Sequence, residues 1–197
     1  MTPKRIFVLN GHPASASLSK MLAEKYVDAA TRAGHDIRVL HLHDLDFDPD
    51  FENAGYSVVK PLEPDLETVQ QDIDWSEHIV LLTPMWWGGV PAKLKGLIDR
   101  ILLPGAAFDT RKTTRLGLPM PMLGGRTARV IMTSDTPNWF FRLVHKNAMV
   151  RQLRGQVFAF VGIKPTRVTH LSAASQPKPA TVAAWSRKVA DLGAGGA

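Results

Sequence analysis

Residues 79–105 read IVLLTPMWWGGVPAKLKGLIDRILLPG, and their reading decides the fold. Ile79 to Thr83 is a short run of branched apolar residues, which predicts a buried strand. Pro84 lacks an N–H and cannot continue a central strand. A loop follows with two adjacent tryptophans and two adjacent glycines, Trp86, Trp87, Gly88 and Gly89. Pro91 suits the first turn of a helix, where its missing N–H costs nothing. Leu94, Leu97, Ile98, Ile101 and Leu102 recur at helical spacing and give that helix a buried face. The unit is therefore strand, aromatic–glycine loop, helix. In open α/β sheets, ligands bind outside the carboxyl ends of the strands, and this loop occupies that position. Two neighbouring tryptophans can be core aromatics. Beside glycines, however, the backbone can approach a ligand closely, and a flat apolar loop suits a flat aromatic ligand. The loop as a whole is read as a binding element.

Upstream, Arg5 to Leu9 (RIFVL) is a first strand, apolar and rich in β-formers. It runs into Asn10–Gly11–His12–Pro13–Ala14–Ser15–Ala16–Ser17–Leu18–Ser19. A helix follows to about Ala33, with Leu18, Met21, Leu22, Tyr26, Val27 and Ala30 on one face and Gly34 closing it. Backbone N–H groups open a helix there, beside three serines at alternate positions and His12. That combination makes a phosphate site, while any single serine can equally be an N-cap. Neither Gly-x-Gly-x-x-Gly nor Gly-Lys-Ser/Thr occurs, so the usual dinucleotide and triphosphate loops are absent. Asp36 to Leu42 is a second strand ending near His41 and His43, which share a face of an extended chain. No third ligand is evident, so no metal is expected and the pair reads as ordinary strand-end histidines. Asp44 to Glu52 is acidic and reads as a solvated loop. Tyr56 to Pro64 is a long connection, of the kind that often faces a partner. Pro64 to Trp75 is a helix carrying Leu66, Val69 and Ile73.

Downstream, Leu103 to Arg126 is full of proline and glycine breakers and reads as a long loop. Thr127 to Thr133 is a fourth strand. At its carboxyl end stand Thr133, Ser134, Asp135, Thr136 and Pro137, which can bond the edge of a planar heterocycle or simply form a turn into a helix. Trp139, Phe140, Phe141 and His145 precede a helix built on Val150, Leu153, Val157, Phe160 and Val161. Arg167 to Leu171 is a fifth strand, and Lys178 to Leu192 a last helix. The tail Gly193 to Ala197 is expected to be disordered.

Five strands alternating with helices predict a parallel sheet covered on both faces. The whole chain, residues 1–197, reads as one domain with a full core, given its length and 45% apolar content. With no cysteine, disulfides, thiol nucleophiles and cysteine zinc sites are excluded. No apolar run approaches the ~20 residues that span a bilayer, and the apolar run near the N-terminus is short for a secretory leader. A cytoplasmic protein without membrane insertion is the expectation. The net charge of +6 hides an asymmetry: residues 1–92 carry 7 basic and 14 acidic groups, residues 93–197 carry 17 and 4. The basic groups are scattered, without a run of three and without a nucleic-acid motif. No nucleic-acid partner is expected: an anionic small ligand, such as a nucleotide phosphate, explains the basic groups as well, and so does simple solvation.

Two motifs carry a resemblance. They are Asn10–Gly11–His12–Pro13 after the first strand and Pro84-x-Trp86-Trp87-x-x-x-Pro91-Ala92-x-Leu94-Lys95-Gly96-x-x-Asp99-Arg100 after the third. On them the chain resembles the flavodoxin-fold NAD(P)H:quinone oxidoreductases, the group related to DT-diaphorase. The resemblance implies a flavodoxin-like three-layer sandwich with a five-stranded parallel sheet of order 2-1-3-4-5. It implies an enzyme that moves hydride from NAD(P)H through bound FMN, or FAD, to a quinone or similar acceptor. The flavin phosphate would lie on His12, Ser15, Ser17, Leu18 and Ser19, and the ring on Pro84, Met85, Trp86, Trp87, Gly88, Thr133, Ser134, Asp135 and Thr136. Trp139 and Phe141 would line the substrate side, with His145 the nearest counterpart of an assisting histidine. A homodimer is implied. The resemblance also admits another class, since relatives of this fold serve as ancillary subunits of membrane transporters.

Overall fold

The computed structural model describes residues 2–53, 55 and 58–197. Tyr56 and Ser57, at the head of the long connection noted above, lie outside the described residues. Five strands form one parallel sheet: β1 (Arg5–Asn10), β2 (Asp36–His41), β3 (His78–Pro84), β6 (Thr127–Ser134) and β7 (Thr166–Ser172). Their spatial order is β2-β1-β3-β6-β7, which is 2-1-3-4-5 when these five strands alone are numbered. The chain moves outward one way from β1 and then reverses, so β1 and β3 diverge at the switch in strand order.

Side-chain alternation sorts the core into two layers. Phe7, Leu9, Ile79, Leu81, Val130 and Met132 face α2 (Pro64–Trp75) and α3 (Ala92–Ile101), meeting Leu66, Val69, Leu94 and Leu97. Ile6, Val8, Val80, Leu82 and Ile131 face the other way, onto Leu22 and Tyr26 of α1 (Leu18–Arg32) and Val189 of α6 (Pro179–Ala194). All seven residues of β3 are buried, as expected of a central strand covered on both faces.

The structure departs from the sequence reading in four places. Leu103–Arg126 is not all loop: β4 (Phe108–Thr113) and β5 (Pro119–Pro121) pair antiparallel as a separate hairpin. Its prolines suppress the strand signal, yet Pro is tolerated on an edge strand. Asn138–Leu143 is itself helical (α4), followed by a kink with Lys146 and Asn147 at φ 47° and 53°. A short helix α5 (Ala148–Arg151) then widens into a π-helical segment, Gln152–Phe158. The acidic stretch is not merely solvated, because Leu45 and Phe47 are buried and Lys60 pairs with Asp48 and Glu52. The tail expected to be disordered is packed. Gly193 is buried, and Lys4 Nζ donates to the Gly196 carbonyl at 2.7 Å.

One buried cation ties the crossover to the sheet layer. Arg100 of α3 is 0% exposed and donates to the carbonyls of Asp48 and Pro61 and to both carboxylate oxygens of Glu63, at 2.7 and 3.2 Å for the last two. Beneath it, Gly96 leaves room for the same segment: a Cβ there would meet the Pro49 carbonyl oxygen at 2.7 Å. Among the described residues, no helix is long and apolar enough to cross a membrane.

Candidate functional site

Four loops at the carboxyl ends of β1, β3, β6 and β7 enclose a cavity of about 270 Å³. The β1 loop is shaped by close approach. Gly11 donates its N–H to the Leu82 carbonyl at 2.7 Å, and a Cβ at this position would stand 2.6 Å from the Leu94 side chain. His12 then turns inward. Its Nδ1 accepts the Ala14 N–H at 3.0 Å, which leaves the ring proton on Nε2, free to donate. Burial, with the nearby His43 ring also acting against protonation, lowers the His12 pKa below the ordinary histidine value. The ring is therefore a neutral donor at neutral pH.

Ser17 has extended backbone angles and caps α1, its hydroxyl oxygen accepting the Lys20 N–H at 3.1 Å. That leaves the Ser17 O–H itself to donate. The first turn of α1 holds no acidic residue, so nothing opposes an anion at the positive end of the helix dipole. Ser17, Leu18 and Ser19 line the cavity, as does Ala16.

The β3 loop supplies an apolar wall. Trp86 and Gly89 exchange both backbone hydrogen bonds, 2.9 and 3.0 Å, across Trp87 and Gly88 at φ 51° and 79°. Two successive positive φ values define a type I′ turn, so Trp87 occupies a conformation that ordinarily favours Asn or Gly. Pro84, Met85 and Trp86 face the cavity, the Trp86 ring meeting His12 edge-on at 5.6 Å. Trp87 points away into solvent.

The β6 and β7 loops form the opposite wall. Thr133, Ser134 and Asp135 line it together with Ala174 and Ser175. Ser134 Oγ bonds His170 Nε2 at 2.7 Å. The Asp135 carboxylate accepts both the N–H (2.8 Å) and the hydroxyl of Ser175, and these two bonds hold its pKa below the usual value.

Of the fourteen positions proposed to hold a flavin, His12, Ser17, Leu18, Ser19, Pro84, Met85, Trp86, Thr133, Ser134 and Asp135 line this one cavity. Ser15, Trp87, Gly88 and Thr136 do not line it. Phe141, expected on the substrate side, is 2% exposed and packs edge-on against His170. It is a core residue. Trp139 is 63% exposed and packs on Phe140, and His145 also lies on Phe140, away from the cavity lining. Ala174 and Ser175 were not anticipated. The signal was available: the fifth strand ends on the same side as the others, and its loop, Ser172–Ala173–Ala174–Ser175, is small and polar.

His41 and His43 stack at 5.3 Å, and His43 pairs with Asp44 at 2.7 Å. Among the described residues no cluster of three or more His, Asp or Glu is placed to hold a metal.

The donor set suits a flavin nucleotide. Serine hydroxyls, a helix N-terminus and an imidazole N–H stand at one end, and a flat apolar wall faces polar loop edges at the other.

A family profile described as Flavodoxin-like fold matches residues 4–192. An uncharacterized NAD(P)H oxidoreductase of Haemophilus influenzae is 28% identical over 120 residues, which cover 56% of each chain. The match thus spans little more than half of that relative's length. An NAD(P)H:quinone oxidoreductase from Methanothermobacter marburgensis superposes with a TM-score of 0.80 at 20% identity, covering 98% of both chains. An FMN-dependent NADH-azoreductase from Bacillus anthracis, solved in complex with FMN, superposes with a TM-score of 0.72 at 16% identity, covering 96% of this chain and 97% of the other. The chain belongs to the flavodoxin-like fold family, among relatives that include NAD(P)H:quinone oxidoreductases.

Proposed function

We propose that the chain is a flavin-dependent NAD(P)H oxidoreductase that passes a hydride from the nicotinamide to a quinone or similar acceptor. The observation that carries this reading is the convergence of four strand-end loops on one cavity, polar at the α1 end and apolar at the Trp86 end. Bound FMN would supply the two-electron chemistry, accepting hydride and passing it on, which the side chains here cannot do. The chain's own groups bind and orient. Ser17, Ser19, the His12 Nε2–H and the N–H groups opening α1 would hold the phosphate. Pro84, Met85 and Trp86 would support one ring face, and the Thr133–Asp135 loop its polar edge. Asp135, already bonded to Ser175, would fix the spacing between the β6 and β7 loops rather than exchange a proton. FMN is favoured over FAD because the azoreductase named above carries FMN in this fold.

Purified protein titrated with FMN is expected to give a saturable change in flavin fluorescence, and then to oxidise NADH or NADPH only when a quinone is supplied. No saturable change with FMN or FAD would end the reading at its root. Binding without turnover would leave a flavin protein that is not this enzyme.

We also propose that the chain works as a homodimer. The support is an exposed apolar strip on and just after α4, where Trp139, Leu143 and Val144 are 63%, 68% and 54% exposed. Such a strip is an expected interaction surface.

A further inference from the structure

A buried amide links β2 to the loop that leads into α1. Asn10 and His41 are register partners at the ends of β1 and β2, so their side chains leave the sheet on the same face as neighbours. Asn10 is 0% exposed and does not line the strand-end cavity, whereas His12, two residues on, does. Closed off from water, the Asn10 amide has to find its partners within the protein.

Those partners fix its orientation. A backbone N–H can only donate, and the His12 N–H donates to Asn10 Oδ1 at 3.3 Å. That assigns the oxygen end of the amide to the loop, as an Asx turn. The Nδ2 end is left facing β2, where it lies 3.4 Å from His41 Nδ1. An amide NH2 offers no lone pair, so His41 Nδ1 is the acceptor and the ring proton sits on Nε2. The ring is held in that attitude from its face. His43 stacks on it at 5.3 Å with the planes 6° apart, and His43 is itself held through Nδ1 by Asp44 at 2.7 Å. The bonds therefore connect His12, Asn10 and His41, and each has only one possible direction.

This connection needs a neutral His41. Burial lowers its pKa below the ordinary histidine value; Lys20 of α1 and His43 act the same way, and Asp44 and Glu24 of α1 oppose them. At neutral pH Nδ1 keeps its lone pair. A second proton would go to Nδ1 and set an N–H against the Asn10 NH2. The amide could answer only by turning its oxygen to the ring, and the His12 N–H would then face a donor. Either way one of the two bonds is lost. The β1 loop has few others: the Gly11 N–H is tied to Leu82 and the Ala14 N–H to the His12 ring.

We propose that His41 is a positioning residue for the flavin phosphate: through Asn10, its neutral ring holds the His12 N–H and with it the loop leading into α1. The phosphate role rests on the flavin reading; the coupling of His41 to His12 does not.

The test has two readouts. In 15N–1H spectra of the full chain without flavin, taken from pH 7.5 to 5, the His12 backbone amide is expected to shift with the midpoint of the His41 ring. The Ala14 amide, which bonds the His12 ring, reports that ring separately. In His41→Gln the side-chain oxygen can accept from Asn10 without titrating, so the His41 phase at His12 should vanish while the Ala14 phase remains. FMN affinity is then compared at the two ends of the range. Wild type should weaken on acidification about fivefold more than His41→Gln, the worth of one hydrogen bond of about 1 kcal/mol. Any loss from protonation of the FMN phosphate itself is common to both proteins. A His12 amide with no phase at the His41 midpoint, the same phase in His41→Gln, or equal losses of FMN affinity would each overturn the proposal. The wild-type amide titration decides the coupling should His41→Gln fail to fold. FMN binding to neither protein at either pH would refute the flavin reading, and the phosphate role with it.

Discussion

Ser17 has two tasks that can be separated by measurement. Its oxygen accepts the Lys20 N–H and caps α1, while its proton remains available to an anion. Ser17→Ala should therefore lower stability by about 1 kcal/mol, the usual worth of an N-cap. It should also weaken FMN by roughly 10- to 100-fold, because a hydrogen bond to a charged group is worth about 1.5–3 kcal/mol. Riboflavin, lacking the phosphate, should lose little. Equal losses for FMN and riboflavin would show that Ser17 only caps the helix. At this scale the sequence reading was uneven for a physical reason. Ser17, Trp86 and Ser134 were legible because each belongs to the carboxyl end of a strand or to the loop that leaves it, where the topology aims backbone and short side chains at one place. Phe141 was not, since an aromatic residue beside a cavity and one beneath it have the same one-dimensional context. Only the packing against His170 distinguishes them.

Among elements, α3 depends most on a single side chain. Arg100 holds Asp48, Pro61 and Glu63 from a fully buried position. Removing one partner of a buried charge network leaves the others unsatisfied and costs about 3–5 kcal/mol. Arg100→Ala should lower the urea midpoint accordingly, and Arg100→Lys should recover only part, because lysine cannot present a bidentate fork. A loss below about 1 kcal/mol in the alanine variant would mean that the crossover is held elsewhere. The helices α2 and α3 were legible from apolar spacing and their leading prolines, α2 to the residue, and the five sheet strands from short apolar runs. The β4–β5 hairpin was hidden because Pro119 and Pro121 mask so short a strand. The π-helical turn was hidden because widening a helix by one residue barely alters its apolar spacing.

For the molecule as a whole, acid is the informative stress. The folded state keeps His78 neutral down to about pH 4, against an ordinary value of 6.5. The unfolded chain therefore binds the extra proton first as pH falls. Stability from this group is present above pH 6.5, falls between there and pH 4, and is gone below, a loss of about 3 kcal/mol at about 1.4 per unit. The melting temperature should drop over that window, and His78→Gln should flatten the drop. A pH profile identical in variant and wild type would assign acid sensitivity to other groups. Assembly is checked at the same scale: light scattering at micromolar concentration should give twice the chain mass, and a monomer mass would refute the dimer. Five strand–helix alternations admit few topologies, and the resemblance to the flavodoxin fold selected the sheet order among them. The packed tail was not, since Gly193–Ala197 has no periodicity and is ordered by what it meets, Tyr26 and Lys4.

The I′ turn over Trp87 and Gly88 has an optical consequence. It sets two indoles one peptide bond apart in different surroundings, Trp86 with one side against the cavity and 46% exposed, Trp87 standing wholly in water. Emission from Trp87 belongs to solvent: red-shifted and open to collisional quenching by iodide or acrylamide. Emission from Trp86 belongs to whatever fills the cavity, and an absorbing guest there drains it by energy transfer. The two indoles therefore differ in their access to a quencher rather than in their distance from a guest, and replacing Trp87 by phenylalanine would leave the Trp86 signal with less background.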